Sequence, residues 1–183
     1  MTRKDKLTLL FSPEDIQARV VETGRRIRSD YETSLAPGES LLMVGVLNGA
    51  FIFLADLVRA LGDLPVEVDF VRLSSYQNGD VSSAEVRMTK DLEKDVRGRQ
   101  VLIVEDIIDC GLTLAWLLDS LGRRGPASLR VAVAVDKPVR RARPVAADYV
   151  ALVVEGDSFL VGYGLDYAER HRGLPAVYKV ERN

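Results

Sequence analysis

The residues best suited to chemistry lie in one stretch, Val101 to Thr113, which reads VLIVEDIIDCGLT. An apolar run ends in the acidic pair Glu105-Asp106. Asp109, Cys110, Gly111, Leu112 and Thr113 follow, and a helical pattern begins there. A turn that enters a helix points free backbone N–H groups one way, and the helix dipole favours an anion at that end. Gly111 lets the backbone close around a phosphate, and Thr113 adds a hydroxyl donor. Asp109 to Thr113 is therefore a candidate phosphate cradle. Carboxylates beside a phosphate repel it unless they have another task. They can hold sugar hydroxyls, or they can position Mg²⁺. Together these residues point to a sugar phosphate with a metal. The plainer alternative has Glu105 and Asp106 solubilising a strand end while Asp109 caps the next helix. The sequence has no GxxxxGK[ST] string and no GxGxxG after a strand, so it carries neither a Walker loop nor a dinucleotide fingerprint.

Such a turn works only if a scaffold holds it. Apolar runs of strand length recur at Leu41–Val46, Val66–Leu73, Val101–Val104, Leu129–Val135 and Tyr149–Val154. Most are continuous rather than alternating, as expected of strands buried on both faces of a parallel sheet. Helical stripes separate them. Ser12-Pro-Glu-Asp15 is a helix start, followed by Ile16, Val20, Ile27 and Tyr31. Phe51, Leu54, Leu57, Val58 and Leu61 form a second stripe, and Leu114, Leu117, Leu118 and Leu121 a third. The alternation predicts an α/β fold, a mainly parallel twisted sheet with helices on both faces. In open sheets of this kind ligands bind beyond the carboxyl ends of the strands, where the acidic turn would lie. Ser74 to Ala84 (SSYQNGDVSSA) breaks the pattern: it reads either as a polar loop covering a site or as a hairpin tip at Asn78-Gly79.

Composition bounds the rest. The chain has 183 residues, one domain's worth, with 47% hydrophobic and 28% charged residues. A net charge of −2 gives no bulk field for a phosphate backbone, which argues against nucleic-acid binding. The single cysteine, Cys110, fits a reducing, cytoplasmic setting. The start of the chain does not read as a signal peptide, and no apolar run reaches the roughly 20 residues of a membrane span.

The string VLIVEDIIDCGLTL resembles the phosphoribosyl-diphosphate signature of the type I phosphoribosyltransferases, and its IID variant with the flanking blocks resembles the hypoxanthine-guanine branch of that family. The resemblance runs over nearly the whole chain and implies a single domain over 1–183. Its core would span about 35–150, with a small hood from the N-terminal part and about 151–183. It further implies transfer of a phosphoribosyl group from phosphoribosyl diphosphate to a 6-oxopurine, with Mg²⁺, in a homodimer or homotetramer.

Residue by residue, Glu105 and Asp106 resemble the acids at the ribose hydroxyls and the metal. Asp109 resembles the proposed general base near purine N7. The segment Asp109, Cys110, Gly111, Leu112 and Thr113 resembles the 5′-phosphate cradle. Leu47, Asn48 and Gly49 match the diphosphate loop, where the family has a cis peptide between non-proline residues. Arg172 matches an arginine that contacts the diphosphate, and Ser75-Tyr76 resembles the pair in the family's mobile loop. Lys137 resembles the lysine that reads the 6-oxo group. In FLVGYGLDY, Phe159 would stack on the base, the Leu160 backbone would bond its edge, and Asp166 would meet Mg²⁺. Two positions depart from the family. Asn48 stands where lysine is usual, which removes a positive charge, and Cys110 stands where a hydroxyl residue is common.

The rival readings are a xanthine- or adenine-using enzyme and a non-catalytic phosphoribosyl-diphosphate sensor that binds nucleic acid. Lys137 opposes adenine, because an ammonium does not suit a 6-amino group. Arg140, Arg141 and Arg143 read as a solvated basic face or a subunit contact, His171 as a surface residue, and Trp116 as packing.

Overall fold

The structure is a computed structural model and describes residues 6–77 and 84–181. Its elements in chain order are β1 (Lys6–Phe11), α1 (Pro13–Glu32), β2 (Leu41–Leu47), α2 (Phe51–Ala60), β3 (Val66–Gln77), β4 (Ala84–Lys90), β5 (Gln100–Ile108), α3 (Leu112–Gly122), β6 (Ser128–Asp136), a 3₁₀ turn (Pro138–Arg140), β7 (Tyr149–Val153), β8 (Phe159–Val161) and β9 (Val177–Glu181).

The main sheet has the order β4-β3-β2-β5-β6-β7. All its pairings are parallel except β3–β4, an antiparallel edge pair. The continuous apolar runs are explained by alternation across two covered faces. Leu41, Met43, Leu102 and Val104 pack with α1 and α2 on one face, while Leu42, Val44, Val101 and Ile103 pack with α3 on the other. Trp116 packs against this second cluster, as its position in the helical stripe predicts.

Helix α1 begins as read from the sequence. The Ser12 hydroxyl accepts from the Asp15 N–H, and the Asp15 carboxylate accepts from the Ser12 N–H, both at 3.1 Å. The helix buries Ile16, Val20, Ile27 and Tyr31. At Gly24 it crosses α2 so closely that an added Cβ would stand 2.7 Å from the Ala60 Cβ.

A second sheet, β1-β9-β8, is antiparallel and joins the two ends of the chain, with Lys6 opposite Glu181. None of its three strands is among the apolar runs read from the sequence: β8 has only three residues, β1 is mostly exposed, and β9 alternates with charged residues. The polar segment Ser74 to Ala84 is partly resolved in favour of a hairpin, since both its ends pair in the β3–β4 ladder. Ser75 and Tyr76 lie in the β3 ladder opposite Val86 and Glu85, rather than in an irregular loop. The expected tip at Asn78-Gly79 lies outside the described residues. Strand β5 also runs further than its apolar core, carrying the acidic pair within the strand up to Ile108.

Candidate active site

Strands β2, β5 and β6 end side by side, and each hands its chain to a turn that faces one cleft. After β2 the Leu47–Asn48 peptide is cis, as the resemblance implies. The next residue, Gly49, lies flat against the acidic pair: a Cβ there would fall 1.5 Å from the Asp106 Oδ2. On its other side Gly164 (φ +97) leaves room for the Gly49 carbonyl, which would stand 2.1 Å from a Gly164 Cβ. Two missing side chains therefore let three segments far apart in sequence meet in one stack.

After β5 the chain turns through Asp109 and Cys110 to Gly111, which takes φ +80 and begins α3 with no side-chain cap. The first-turn N–H groups of α3 are left for another acceptor, as at anion-binding helix starts. This turn is braced from outside. The Cys110 carbonyl accepts from the N–H groups of Ala142 and Arg143 at 2.9 and 3.2 Å. Gly111 lies where a Cβ would be 2.6 Å from the Val145 Cγ2. Arg141 bonds to the Asp136 carboxylate and to the Val145 carbonyl. The expected solvated arginine face is thus corrected for Arg141. Its guanidinium braces the turn, because Asp136 at the end of β6 supplies the counter-charge.

The first half of the cleft has a volume of ≈ 340 Å³ and is lined by Leu47, Asn48, Gly49, Glu105, Asp106, Asp109, Cys110, Gly111, Thr113, Asp166 and Arg172. Glu105 is buried, and its carboxyl is held well above the usual range, first by burial and then by the charge of Asp106. Burial raises Asp106 as well. Arg172 spans from the Gly164 carbonyl (2.8 Å) to Asp166 (2.8 Å) and Glu169 (3.2 Å).

The second half is wider, ≈ 770 Å³, and is lined by Asp106, Ile107, Asp109, Lys137, Phe159, Leu160 and Asp166, with Arg140, Asp157 and Lys179 among its other lining residues. Lys137 is buried. Its ammonium donates to the Ser158 carbonyl at 2.9 Å and stands 3.8 Å from Asp109 Oδ1, an oxygen that is itself buried without a hydrogen-bond partner. Phe159 is 38% exposed, and Tyr167 meets its ring edge-on at 5.3 Å.

The carboxylates suit a hard cation. Burial disfavours the charge on both neighbours, Asp106 adds to it at Glu105, and two such carboxylates are all-oxygen donors of the kind that match Mg²⁺. Among the described residues no three acidic, His or Cys side chains converge as a metal-holding group. Of Glu105, Asp106 and Asp166, expected at the metal, Asp166 pairs with Arg172 and accepts from the Glu169 N–H. One or two carboxylates with substrate oxygens and water remain the fitting arrangement.

Of the residues singled out in the sequence, those of the cradle, the β2 turn, the acidic pair, Lys137, Phe159, Leu160, Asp166 and Arg172 face this cleft, apart from Leu112, which lies in the first turn of α3. Nothing is described of the Ser75 and Tyr76 side chains. His171, expected at the surface, is half-buried at φ 72 in the turn that carries Arg172. Arg140, Asp157 and Gly164 were missed. For Gly164 the repeated glycines of GYG were a usable signal; for the other two, ordinary charged residues in loops gave none.

Residues 14–168 match the phosphoribosyl transferase domain family. The chain is 44% identical to a hypoxanthine phosphoribosyltransferase of Haemophilus influenzae, over 97% of each chain. It is 48% identical to a hypoxanthine-guanine phosphoribosyltransferase of Mycobacterium avium, over 94% of this chain and 85% of the relative. Among solved structures, a hypoxanthine phosphoribosyl transferase of Trypanosoma cruzi superposes with a TM-score of 0.90 at 40% identity, covering 98% of this chain and 95% of the other. Cradle, acidic pair and aromatic clamp thus come together in a chain that belongs to the phosphoribosyltransferase family, in its hypoxanthine-guanine branch.

Proposed function

We propose that this enzyme transfers the 5-phosphoribosyl group of phosphoribosyl diphosphate to N9 of hypoxanthine or guanine, giving IMP or GMP and diphosphate. One observation carries the reading. The anion-cradle half and the aromatic half of the cleft share Asp106, Ile107, Asp109 and Asp166. A ligand with a phosphate at one end and a flat base at the other spans both halves.

The C1–O bond to diphosphate breaks as N9 attacks, and positive charge builds on the sugar while negative charge gathers on the leaving group. The first-turn N–H groups of α3 and Thr113 bind the 5′-phosphate. Glu105 and Asp106 hold the ribose hydroxyls. Arg172 and the Asn48–Gly49 turn receive the diphosphate. Phe159 stacks on the purine, the Leu160 backbone bonds its edge, and the Lys137 ammonium meets the 6-oxo group. Asp109 takes a proton at N7. Carboxylates of Glu105, Asp106 or Asp166 would hold Mg²⁺, which would supply charge neutralisation at the diphosphate. The hairpin bearing Ser75 and Tyr76 keeps water from the reacting centre. A cytoplasmic setting is read from the single cysteine. A single domain, 1–183, working as a homodimer or homotetramer follows the relatives, one of which was studied for its oligomeric state.

Steady-state assays with phosphoribosyl diphosphate, Mg²⁺ and each of hypoxanthine, guanine, xanthine and adenine test this. Turnover is expected with the first two. Asp109→Asn is expected to lower kcat about 10²–10⁴-fold while GMP still binds. Turnover confined to xanthine, or none with any base, would refute the assignment.

A further inference from the structure

Two cations on one turn reach the same carboxylate. Lys137 links Asp109 Oδ1 (3.8 Å) to the Ser158 carbonyl (2.9 Å) from inside the wall. Three residues later Arg140 links Asp109 Oδ2 (3.4 Å) to Asp157 (3.3 Å) from outside. Both bridges therefore join the end of β5 to consecutive residues of the loop before Phe159, across the wide half of the cleft. The outer bridge is half-exposed, at 52% for Arg140 and 68% for Asp157. Pairs so open to water add almost nothing to stability. Its position is the informative part, because it shares the charge of Asp109 with the lysine assigned to the purine.

We propose that Arg140 is a positioning and specificity-determining residue of the purine site, an outer clasp that holds Asp109 and Asp157 and leaves the Lys137 ammonium for the 6-oxo group. Without Arg140, Lys137 is the one cation among the described residues still paired with Asp109. The ammonium is drawn toward that carboxylate and gives less to the purine. Asp157 then loses its tie to Asp109, and the loop that carries Phe159 is no longer held to the end of β5. The effect falls on the base and not on the phosphates, which bind in the other half.

This inference rests on the proposed transfer reaction, so its test is built in two parts. In the first, kcat and both KM values are measured for wild type, Arg140→Ala, Arg140→Lys, Asp157→Asn and the Arg140→Ala/Asp157→Asn pair. Arg140→Ala is expected to raise the purine KM about tenfold and leave the phosphoribosyl-diphosphate KM within about twofold. Arg140→Lys should recover most of that loss. Asp157→Asn should add little to Arg140→Ala, since the two act through one bridge. The melting temperature should stay within about 2 °C, which separates positioning from folding. An unchanged purine KM, equal shifts in both KM values, or additive effects would overturn the clasp. In the second, calorimetry measures GMP binding to wild type and Arg140→Ala without any turnover. If wild type binds GMP but does not turn over, the reaction assignment fails while the clasp is still tested. Equal GMP affinities in the two proteins would sink the clasp alone.

Discussion

At Glu105 a carboxyl is buried beside a second carboxyl, and both the burial and the neighbouring charge raise its affinity for a proton above the ordinary value of 4.5. The folded state then binds more protons than the unfolded chain once pH passes that value. Stability is therefore greatest at or below the ordinary carboxylate range and falls as pH rises toward the raised folded value. Glu105→Gln removes the titration and keeps an oxygen that can accept from the Asp106 N–H, as Glu105 does at 3.1 Å. In chelator, the variant is expected to melt higher than wild type at pH 8 and to show a smaller difference at pH 5. The gain at pH 8 follows from the raised proton affinity and shrinks as pH falls toward the ordinary carboxylate range. Thermal melts across that range check it; a difference independent of pH would show that charge is not the cost. The same residue should lose turnover, because the group that is costly in the empty cleft is the one assigned to the ribose and metal side.

The turn from β5 into α3 shows how an element's shape carries chemistry. Gly111 takes a left-handed conformation and presses on Val145, so the turn is closed both by its own backbone and by the β6–β7 connection. Gly111→Ala adds a strained φ and a Cβ 2.6 Å from the Val145 Cγ2. A cost of about 1–3 kcal/mol in stability is expected, together with weaker binding of ribose 5-phosphate as read by calorimetry. Undiminished binding would place the phosphate elsewhere. The strand–acid–turn–helix order was visible in the sequence because it is local and each piece has its own residue preference. The bracing of that turn by Arg141 was not. A half-buried arginine paired to Asp136 looks the same in sequence as an arginine in water, and only the approach of the β6–β7 connection distinguishes them.

Across the molecule one apolar cluster runs from α1 and α2 through the main sheet to Leu160, Tyr163, Leu165 and Val177 of the smaller sheet and its turn. The clamp segment and the sheet should therefore unfold together. Leu57, fully buried in that cluster, tests this. Leu57→Ala is expected to cost about 2–5 kcal/mol and to shift a single calorimetric transition; two separable transitions would mean the smaller sheet melts alone. Among the described residues no helix is long and apolar enough to cross a membrane. What the sequence determined by itself was whatever depends on near neighbours: the alternation of buried strands and helices, the capping box at Ser12, and the chemistry of the Val101–Thr113 stretch. Tertiary structure decided what depends on residues far apart in the chain. It pairs β1 with β9, stacks Gly164 on Gly49 on Asp106, and brings Arg140 between Asp109 and Asp157. The physical reason is reach: hydrogen bonds and van der Waals contacts act over a few ångströms, and a linear order does not say which distant segments the packed core brings within them.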